Sequence, residues 1–507
     1  MSKFSVQIIF FLVFIISVFS CKEKEKKVEP KKQPNIIVIY ADDLGFGDVS
    51  AYGSTVLKTP NIDRIANEGI KFMNGYAASP TCTPSRYALL SGNYPFKKTD
   101  ARVLRGNAPL IFDTSKQTLP SILRDAGYTT GVVGKWHLGL GNENMDWNGE
   151  IKPGPLEIGF DESFIMASTN DRVPSVYVKN HRIDGLDPND PIEVSYTKNF
   201  EGEPTGKENP ELLKIHPSHG HNMSIHNGIS RIGYMRGGKS ALFKDEEMSD
   251  DFLRESKAFI DRNKENPFFL FYSLHQPHVP RVPHPRFVGK TSLGPRGDVI
   301  VEADWAVGQL LDYLDELNLS ENTIVIFSSD NGPVLDDGYK TDAVEKNGDH
   351  TPAGKLRGGK YSLFDAGTHV PFMVMWKGTV APGVSNALVS QMDLPASFAA
   401  FTGQKNTTDD SQNVIDALLG KSDKGRESLI LGRANGISIR QSDWILIPPH
   451  KGPKNTGKFT NIETGRDTIY QLYNVKEDIG QQNNIAEKHP EKVKELIELI
   501  EKIKGEK

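Results

Sequence analysis

Asn35-Ile36-Ile37-Val38-Ile39-Tyr40, running directly into Ala41-Asp42-Asp43, is the stretch on which the reading of this chain turns. A run this apolar and β-branched, without polar alternation, suits a strand buried on both faces, as in a parallel sheet. Similar runs follow at 129–133, 268–273, 323–328 and 370–376. Helical patterns separate them, at 119–126, 250–262 and 299–317. The alternation predicts an α/β fold: a large mixed, mostly parallel sheet with helices on both faces. Residues 140–245 lose the rhythm and read as long loops over the sheet edge. Beyond Gly403 short runs at 437–440 and 444–447 predict an antiparallel sheet, and 493–503 an amphipathic terminal helix. The expected division is a large domain over 34–403 and a smaller C-terminal subdomain over 404–507.

Composition narrows the class. Of 507 residues 37% are hydrophobic and 25% charged, which excludes a polytopic membrane protein and a disordered chain. The net charge of −5 does not suit a nucleic-acid binder, so none is expected as a partner. The chain begins Met1-Ser2-Lys3, followed by an apolar run from Val6 to Phe19 and then Ser20-Cys21. That is the layout of an export signal, too short for a comfortable transmembrane helix. Cys21 stands where a bacterial lipoprotein signal places its lipidated cysteine. Residues 1–21 are therefore expected to be the signal with its lipid site, and 22–33 a charged tether. The expected location is outside the cytoplasm, anchored by lipid and facing the periplasm or the cell surface. Plain secretion with a spare thiol is the alternative. With Cys21 lipidated, Cys82, the second of two cysteines, has no disulfide partner.

The first strand ends in Asp42-Asp43 and the run at 323–328 leads into Asp330-Asn331-Gly332. In open α/β sheets ligands gather at the carboxyl ends of strands. Three carboxylates and an amide oxygen form an all-oxygen set, suited to Ca²⁺ or Mg²⁺ and not to Zn²⁺. Taken singly, either pair also reads as turn residues. Between them lies Ser79-Pro80-Thr81-Cys82-Thr83-Pro84-Ser85-Arg86, where Pro84 suits the first turn of a helix and Cys82 its N-terminus. Such a cysteine is either a nucleophilic thiol of low pKa or a buried free cysteine.

Cys82-Thr83-Pro84-Ser85-Arg86 resembles the C-x-P-S-R motif of type I sulfatases, in the alkaline phosphatase superfamily. The remaining family motifs follow in order: Asp42-Asp43, Gly134-Lys135-Trp136-His137, Gln276-Pro277-His278, Asp330-Asn331-Gly332 and Leu356-Arg357-Gly358-Gly359-Lys360. Leu472-Tyr473-Asn474 and Asn483-Asn484 resemble the family's C-terminal segment, so the likeness spans roughly 34–488. The resemblance implies a sulfuric ester hydrolase in which a maturing enzyme oxidises Cys82 to formylglycine. It implies a metal, calcium ahead of magnesium, held by Asp42, Asp43, residue 82, Asp330 and Asn331. Lys135 and Lys360 would hold sulfate oxygens, His278 would protonate the leaving alkoxide, His137 would take a proton from the hydrated aldehyde, and Arg86 would hold that group. His275, three residues before His278, is its rival. The variant Asp365-Ala366-Gly367 after Lys360 resembles enzymes acting on sulfated polysaccharides.

The expected substrate is a sulfated glycan, such as ulvan, carrageenan, fucoidan or a galactosaminoglycan. Arg172, in Asn170-Asp171-Arg172, with His221 and His350 are candidate sugar contacts, and Asp336 and Asp337 candidate wall residues. His216, His219, His221 and His226 cluster in sequence, a set that suits zinc by ligand type, substrate contact, or a plain surface loop. Two other functions fit the same motifs. One is a formylglycine-dependent phosphonate or phosphate ester hydrolase. The other is an inactive, glycan-binding lipoprotein on the same scaffold.

Overall fold

Strand β1 (Asn35–Ala41) is buried at every residue in a computed structural model that describes residues 33–143 and 145–505. The expected signal, Cys21 and nearly all of the tether lie outside the described residues. After β1 come helix α1 (Pro60–Asn67), β2 (Ile70–Tyr76), α2 (Cys82–Ser91), α3 (Leu119–Asp125) and β3 (Thr129–Lys135). Next are β4 (Glu162–Met166), β5 (Tyr177–Lys179) and β6 (Arg182–Ile183). Two small pairs follow: β7 (Glu193–Ser195) with β10 (Tyr234–Arg236), and β8 (Ile225–His226) with β9 (Ile229–Ser230). The chain continues through α4 (Met248–Asn263), β11 (Phe268–Ser273), α5 (Gly294–Glu316), β12 (Thr323–Ser329), β13 (Phe372–Met375), β14 (Gly383–Ser390), α6 (Leu394–Thr402) and α7 (Ile415–Leu418). It closes with β15 (Ser428–Arg433), β16 (Gly436–Gln441), β17 (Trp444–Ile447), β18 (Gln471–Asn474) and α8 (Pro490–Gly505).

Ten strands form one sheet in the order β14-β2-β13-β12-β1-β11-β3-β4-β5-β6. The central run β12-β1-β11-β3-β4 is parallel throughout. Side chains of β1 alternate between two cores. Ile36, Val38 and Tyr40 pack with Leu89 and Leu90 of α2, Leu123 of α3 and Phe398 of α6. Ile37 and Ile39 pack with Ile62 of α1, Phe252 of α4 and Leu310 of α5. Helices therefore cover both faces, which explains why β1 has no polar alternation. β15 to β18 form the antiparallel C-terminal sheet, and residues Leu496 and Ile500 of α8 close its core. That core also takes in Tyr76 and Ala88 from β2 and α2, and residues 34–507 form one compact unit.

Two expectations need correction. The run at 370–376 yields only the four residues of β13, and these pair antiparallel to β12. The region 140–245 is not only loop, since β4, β5 and β6 extend the sheet at that edge. They escape the eye because β5 and β6 are three and two residues long. β2 and β14 carry polar residues on their partly exposed faces, so neither reads as a buried run.

Candidate active site

The register of the central strands brings the motifs together. Ala41 lies opposite Ser329, so Asp42 and Asp330 leave adjacent parallel strands at the same level. Asp330 donates its N–H to the carbonyl of Ala41 at 3.1 Å, and Asp42 donates its own to Gln276 at 2.9 Å. Lys135 is the last residue of β3, and Gln276-Pro277-His278 follows β11. Four neighbouring strands thus deliver their motifs at their carboxyl ends. Gly134 permits the closest approach: a Cβ there would sit 1.8 Å from the carbonyl oxygen of Ser273 on β11.

Cys82 is the first residue of α2, and no side chain caps that helix. Its Sγ lies 3.7 Å from Asp42 Oδ1. Ligand atoms of Asp42, Asp43, Cys82 and Asp330 all lie within 4.8 Å of one another, every residue buried. Asn331 donates its amide N–H to Asp43 Oδ1 at 2.7 Å, while its Oδ1 is buried without a partner. A buried amide oxygen left bare beside three converging carboxylates is what a hard cation would satisfy, so the donor set fits calcium or magnesium. Carboxylates crowded this way resist ionisation. Burial first, then the Asp330 charge, push Asp42 well above the usual carboxylate range, against the pull of Lys135. Burial also raises Asp43, against Lys360. Asp330 lies below its ordinary value, because Arg86 and Lys135 outweigh its burial.

The cations are fixed around this acid cluster. Arg86 reaches Asp330 Oδ2 through Nε at 2.9 Å and donates to Ser273 Oγ at 2.6 Å and the Lys135 carbonyl at 3.2 Å. Its guanidinium lies over the Tyr40 ring. Lys135 Nζ is 2.5 Å from Asp42 Oδ2. Lys360 Nζ is 2.8 Å from both Asp43 Oδ2 and Asp337 Oδ2, and Asp337 also accepts from the Tyr361 hydroxyl. Asp43, His137 and Tyr361 all have positive φ, of 62°, 56° and 73°. Left-handed backbone at three non-glycine residues of one site is the strain expected where function dictates geometry.

His278 donates from Nδ1 to the Val279 carbonyl at 2.6 Å, since a carbonyl can only accept. That leaves Nε2 facing Asp43 Oδ2 at 3.9 Å. Its rival His275 packs against Phe252 of α4, and burial lowers its pKa to about 4. His137 donates from Nε2 to the Leu104 carbonyl at 3.0 Å and keeps Nδ1 buried and free to accept. Burial, then nearby cations, hold both His137 and His278 well below the ordinary histidine value.

The low-pKa alternative for Cys82 is not what the structure shows. Burial pushes the thiol up, which outweighs the lysines near it. The candidate sugar contacts separate. Arg172 and His221 both bind Asp171, at 2.9 Å each. His350 is turned away into a buried cluster, its Nε2 2.8 Å from Asp48, which Arg296 holds with two bonds of 2.8 and 2.6 Å. Among the described residues the four clustered histidines form no ligand group: half-buried His226 hydrogen-bonds Ser175, and His219 stacks on Phe459. Asp336 accepts from Ser218 at 2.6 Å. Sequence reading treated Asp337 only as wall and did not foresee its ion pair with Lys360. Nor did it single out Ser273, whose hydroxyl supports Arg86 from the end of β11.

Residues 34–404 match the family described as Sulfatase. The chain is 49% identical over 491 residues, 96% of each protein, to the N-acetylgalactosamine-6-O-sulfatase of Bacteroides thetaiotaomicron. It is 31% identical to human arylsulfatase A, over 90% of this chain and 83% of that one. A solved Bacteroides thetaiotaomicron chain, described under the metabolism of multiple glycosaminoglycans, superposes with a TM-score of 0.91 at 50% identity, covering 93% of this chain and 99% of its own. Strand ends, acid cluster and comparisons agree: the chain belongs to the sulfatase family and is a sulfuric ester hydrolase.

Proposed function

We propose that this protein removes the 6-sulfate of N-acetylgalactosamine residues in a sulfated glycan. The observation that carries the reading is the convergence of Cys82, Asp42, Asp43, Asp330 and Asn331 on one buried point, flanked by Lys135 and Lys360. The sugar is argued from the relative named N-acetylgalactosamine-6-O-sulfatase, which aligns over nearly all of both chains. That relative favours a galactosaminoglycan over ulvan, carrageenan or fucoidan.

A formylglycine derived from Cys82 supplies, once hydrated, a hydroxyl to attack sulfur. Asp42, Asp43, Asp330 and Asn331 would hold a calcium ion, whose charge would lower the pKa of such a hydroxyl. The chain's own residues do the rest. Lys135 and Lys360, compact point charges, orient the tetrahedral sulfate and offset charge that builds on its oxygens. Arg86 fixes Asp330 and the end of β3 around residue 82. His137, neutral with Nδ1 open, accepts a proton from the residue-82 hydroxyl when sulfate departs. His278 presents Nε2 to the leaving sugar oxygen. Burial and the charges of Lys360 and Lys135 hold its pKa well below the ordinary histidine value, and a bound sulfate anion, by offsetting those lysines, favours the protonated form.

Beside this point Asp171, Arg172 and His221 form a polar group with hydrogen-bonding capacity for sugar hydroxyls. Export, lipidation at Cys21 and a maturing enzyme for Cys82 belong to the same proposal and rest on the sequence.

The test uses the chain lacking residues 1–21, produced with a sulfatase-maturing enzyme and assayed with calcium. Sulfate release is compared on N-acetylgalactosamine 6-sulfate, its 4-sulfate and N-acetylglucosamine 6-sulfate. Preference for the first supports the reading; release from another sugar sulfate, with none from the first, contradicts it.

A further inference from the structure

A cleft of about 340 Å³ opens beside the acid cluster, within the size range of roughly 300–1,000 Å³ for small-molecule sites. Its near wall belongs to the catalytic residues' own neighbours. Thr81 precedes Cys82, Tyr361 follows Lys360, and Asp337 is the carboxylate that holds Lys360. Its far wall comes from the C-terminal sheet: Arg433 at the end of β15 and Arg466 in the loop before β18.

These two arginines lack the carboxylate partner that Arg357, Arg426 and Arg440 have. Arg357 is paired with Glu463 at 2.6 Å, Arg426 with Asp393 at 2.7 Å, and Arg440 reaches Asp365 at 3.8 Å. Among the described residues no carboxylate lies within ion-pairing distance of Arg433 or Arg466. The acids closest to Arg466 in sequence are already engaged, Glu463 by Arg357 and Asp467 by Lys454 at 2.6 Å. Asp337, the cleft's one carboxylate, is held by Lys360 and Tyr361. Arg466 Nε is buried with no hydrogen-bond partner at all. Burial, and then the Arg466 charge beside it, push Arg433 below its ordinary pKa. Holding two like charges together, half desolvated and unpaired, is unfavourable until an anion joins them.

Resting on the proposed sulfatase reading, we infer that this cleft is a second anion subsite, which takes a carboxylate or sulfate carried by the substrate beyond the ester being cleaved. A guanidinium fork binds such planar or tetrahedral oxyanions through paired N–H donors, and two forks on one wall can grip a single group from both sides. The preferred substrate is then a polyanionic oligosaccharide rather than a lone monosulfated sugar. The C-terminal sheet contributes specificity as well as packing.

The test measures kcat/KM of the matured, calcium-loaded enzyme on four probes. They are N-acetylgalactosamine 6-sulfate alone, the same sugar linked to a uronic acid, that disaccharide with its carboxyl reduced to an alcohol, and the reduced disaccharide bearing a second sulfate. Expected is a preference of about tenfold for the uronic acid or doubly sulfated probe over the reduced one, and which of the two is favoured names the anion. In Arg433→Gln and Arg466→Gln the ratio should collapse towards one, while Arg433→Lys keeps part of it. Melting temperatures of the variants separate loss of the subsite from loss of the fold. Equal rates on charged and reduced probes in the wild type, or an unchanged ratio in both folded glutamine variants, would overturn the inference. Release of sulfate from none of the four would count against the proposed substrate instead. The subsite would then be judged by calorimetry with the unsulfated uronic acid disaccharide: binding lost in the glutamine variants supports it, and absence of binding to the wild type refutes it.

Discussion

His278 carries the sharpest residue-scale prediction. A sugar alkoxide leaves poorly and needs a proton, whereas a phenolate does not, and a positioned general acid is worth about 10²–10⁴-fold. His278→Ala should therefore lose about that factor in kcat on a sugar sulfate and much less on an aryl sulfate; equal losses would remove the acid role. The acid cluster predicts a pH effect. Burial holds Asp42 and Asp43 above the usual carboxylate range, so each carries a proton at acid pH that a cation must displace. A group whose folded pKa is raised favours the metal-free fold below its unfolded value, and that contribution is lost as pH rises. Calcium should then raise the melting temperature more at about pH 7.5 than at about pH 5, read by thermal shift with and without chelator. An equal shift at both would mean that Asp42 and Asp43 do not give up protons to the cation between those pH values. At this scale the sequence was informative wherever a motif named a residue. It marked Asp337 only as a wall residue, without its pairing to Lys360, and did not mark Ser273, since one aspartate in a polar loop and one serine at a strand end show no partner until the fold places them.

At the scale of elements, α5 shows how distant segments support one another. Helix α1 has Pro60 in its first turn and no side-chain cap of its own. Its free N–H groups at Asn61 and Ile62 donate instead to Asp304 of α5, at 3.0 and 2.8 Å. Asp304→Ala should cost about 1–3 kcal/mol, visible as a lower melting temperature, because one buried and one half-buried N–H lose their acceptor. Burial raises Asp304 to about 6, against those hydrogen bonds. Such partnerships do not appear in sequence, where Asp304 and Asn61 are 243 positions apart. The long buried strands and the helices between them were legible, with α4 within two residues of its expected limits and α5 starting five residues earlier than expected. Strand direction was not, for β13 looks like its parallel neighbours and runs the other way. A run of apolar residues records burial on two faces, not orientation. His350 shows the same limit. Its pairing with Asp48 and Arg296 depends on loops that only the folded chain brings together.

Across the whole molecule, the C-terminal sheet and the catalytic sheet share a core. Arg440 of β16 donates to Asn74 of β2 at 2.8 Å and reaches the Tyr76 hydroxyl, while Leu496 of α8 is fully buried in the cluster that also holds Tyr76 and Ala88. Leu496→Ala should cost about 2–5 kcal/mol, the range for a large buried side chain removed from a close-packed core. Its unfolding should stay a single transition; a separate melt of the C-terminal region would show that the two sheets do not share stability. The account's central claim is narrower: residue 82, converted to formylglycine, is the nucleophile that the acid cluster and the two lysines serve. Sulfate release from N-acetylgalactosamine 6-sulfate, measured beside mass spectrometry of the peptide containing residue 82, tests it most directly. The account predicts turnover in proportion to the converted fraction, and none from Cys82→Ala. Turnover by Cys82→Ala, or by protein whose Cys82 is wholly unconverted, would contradict it.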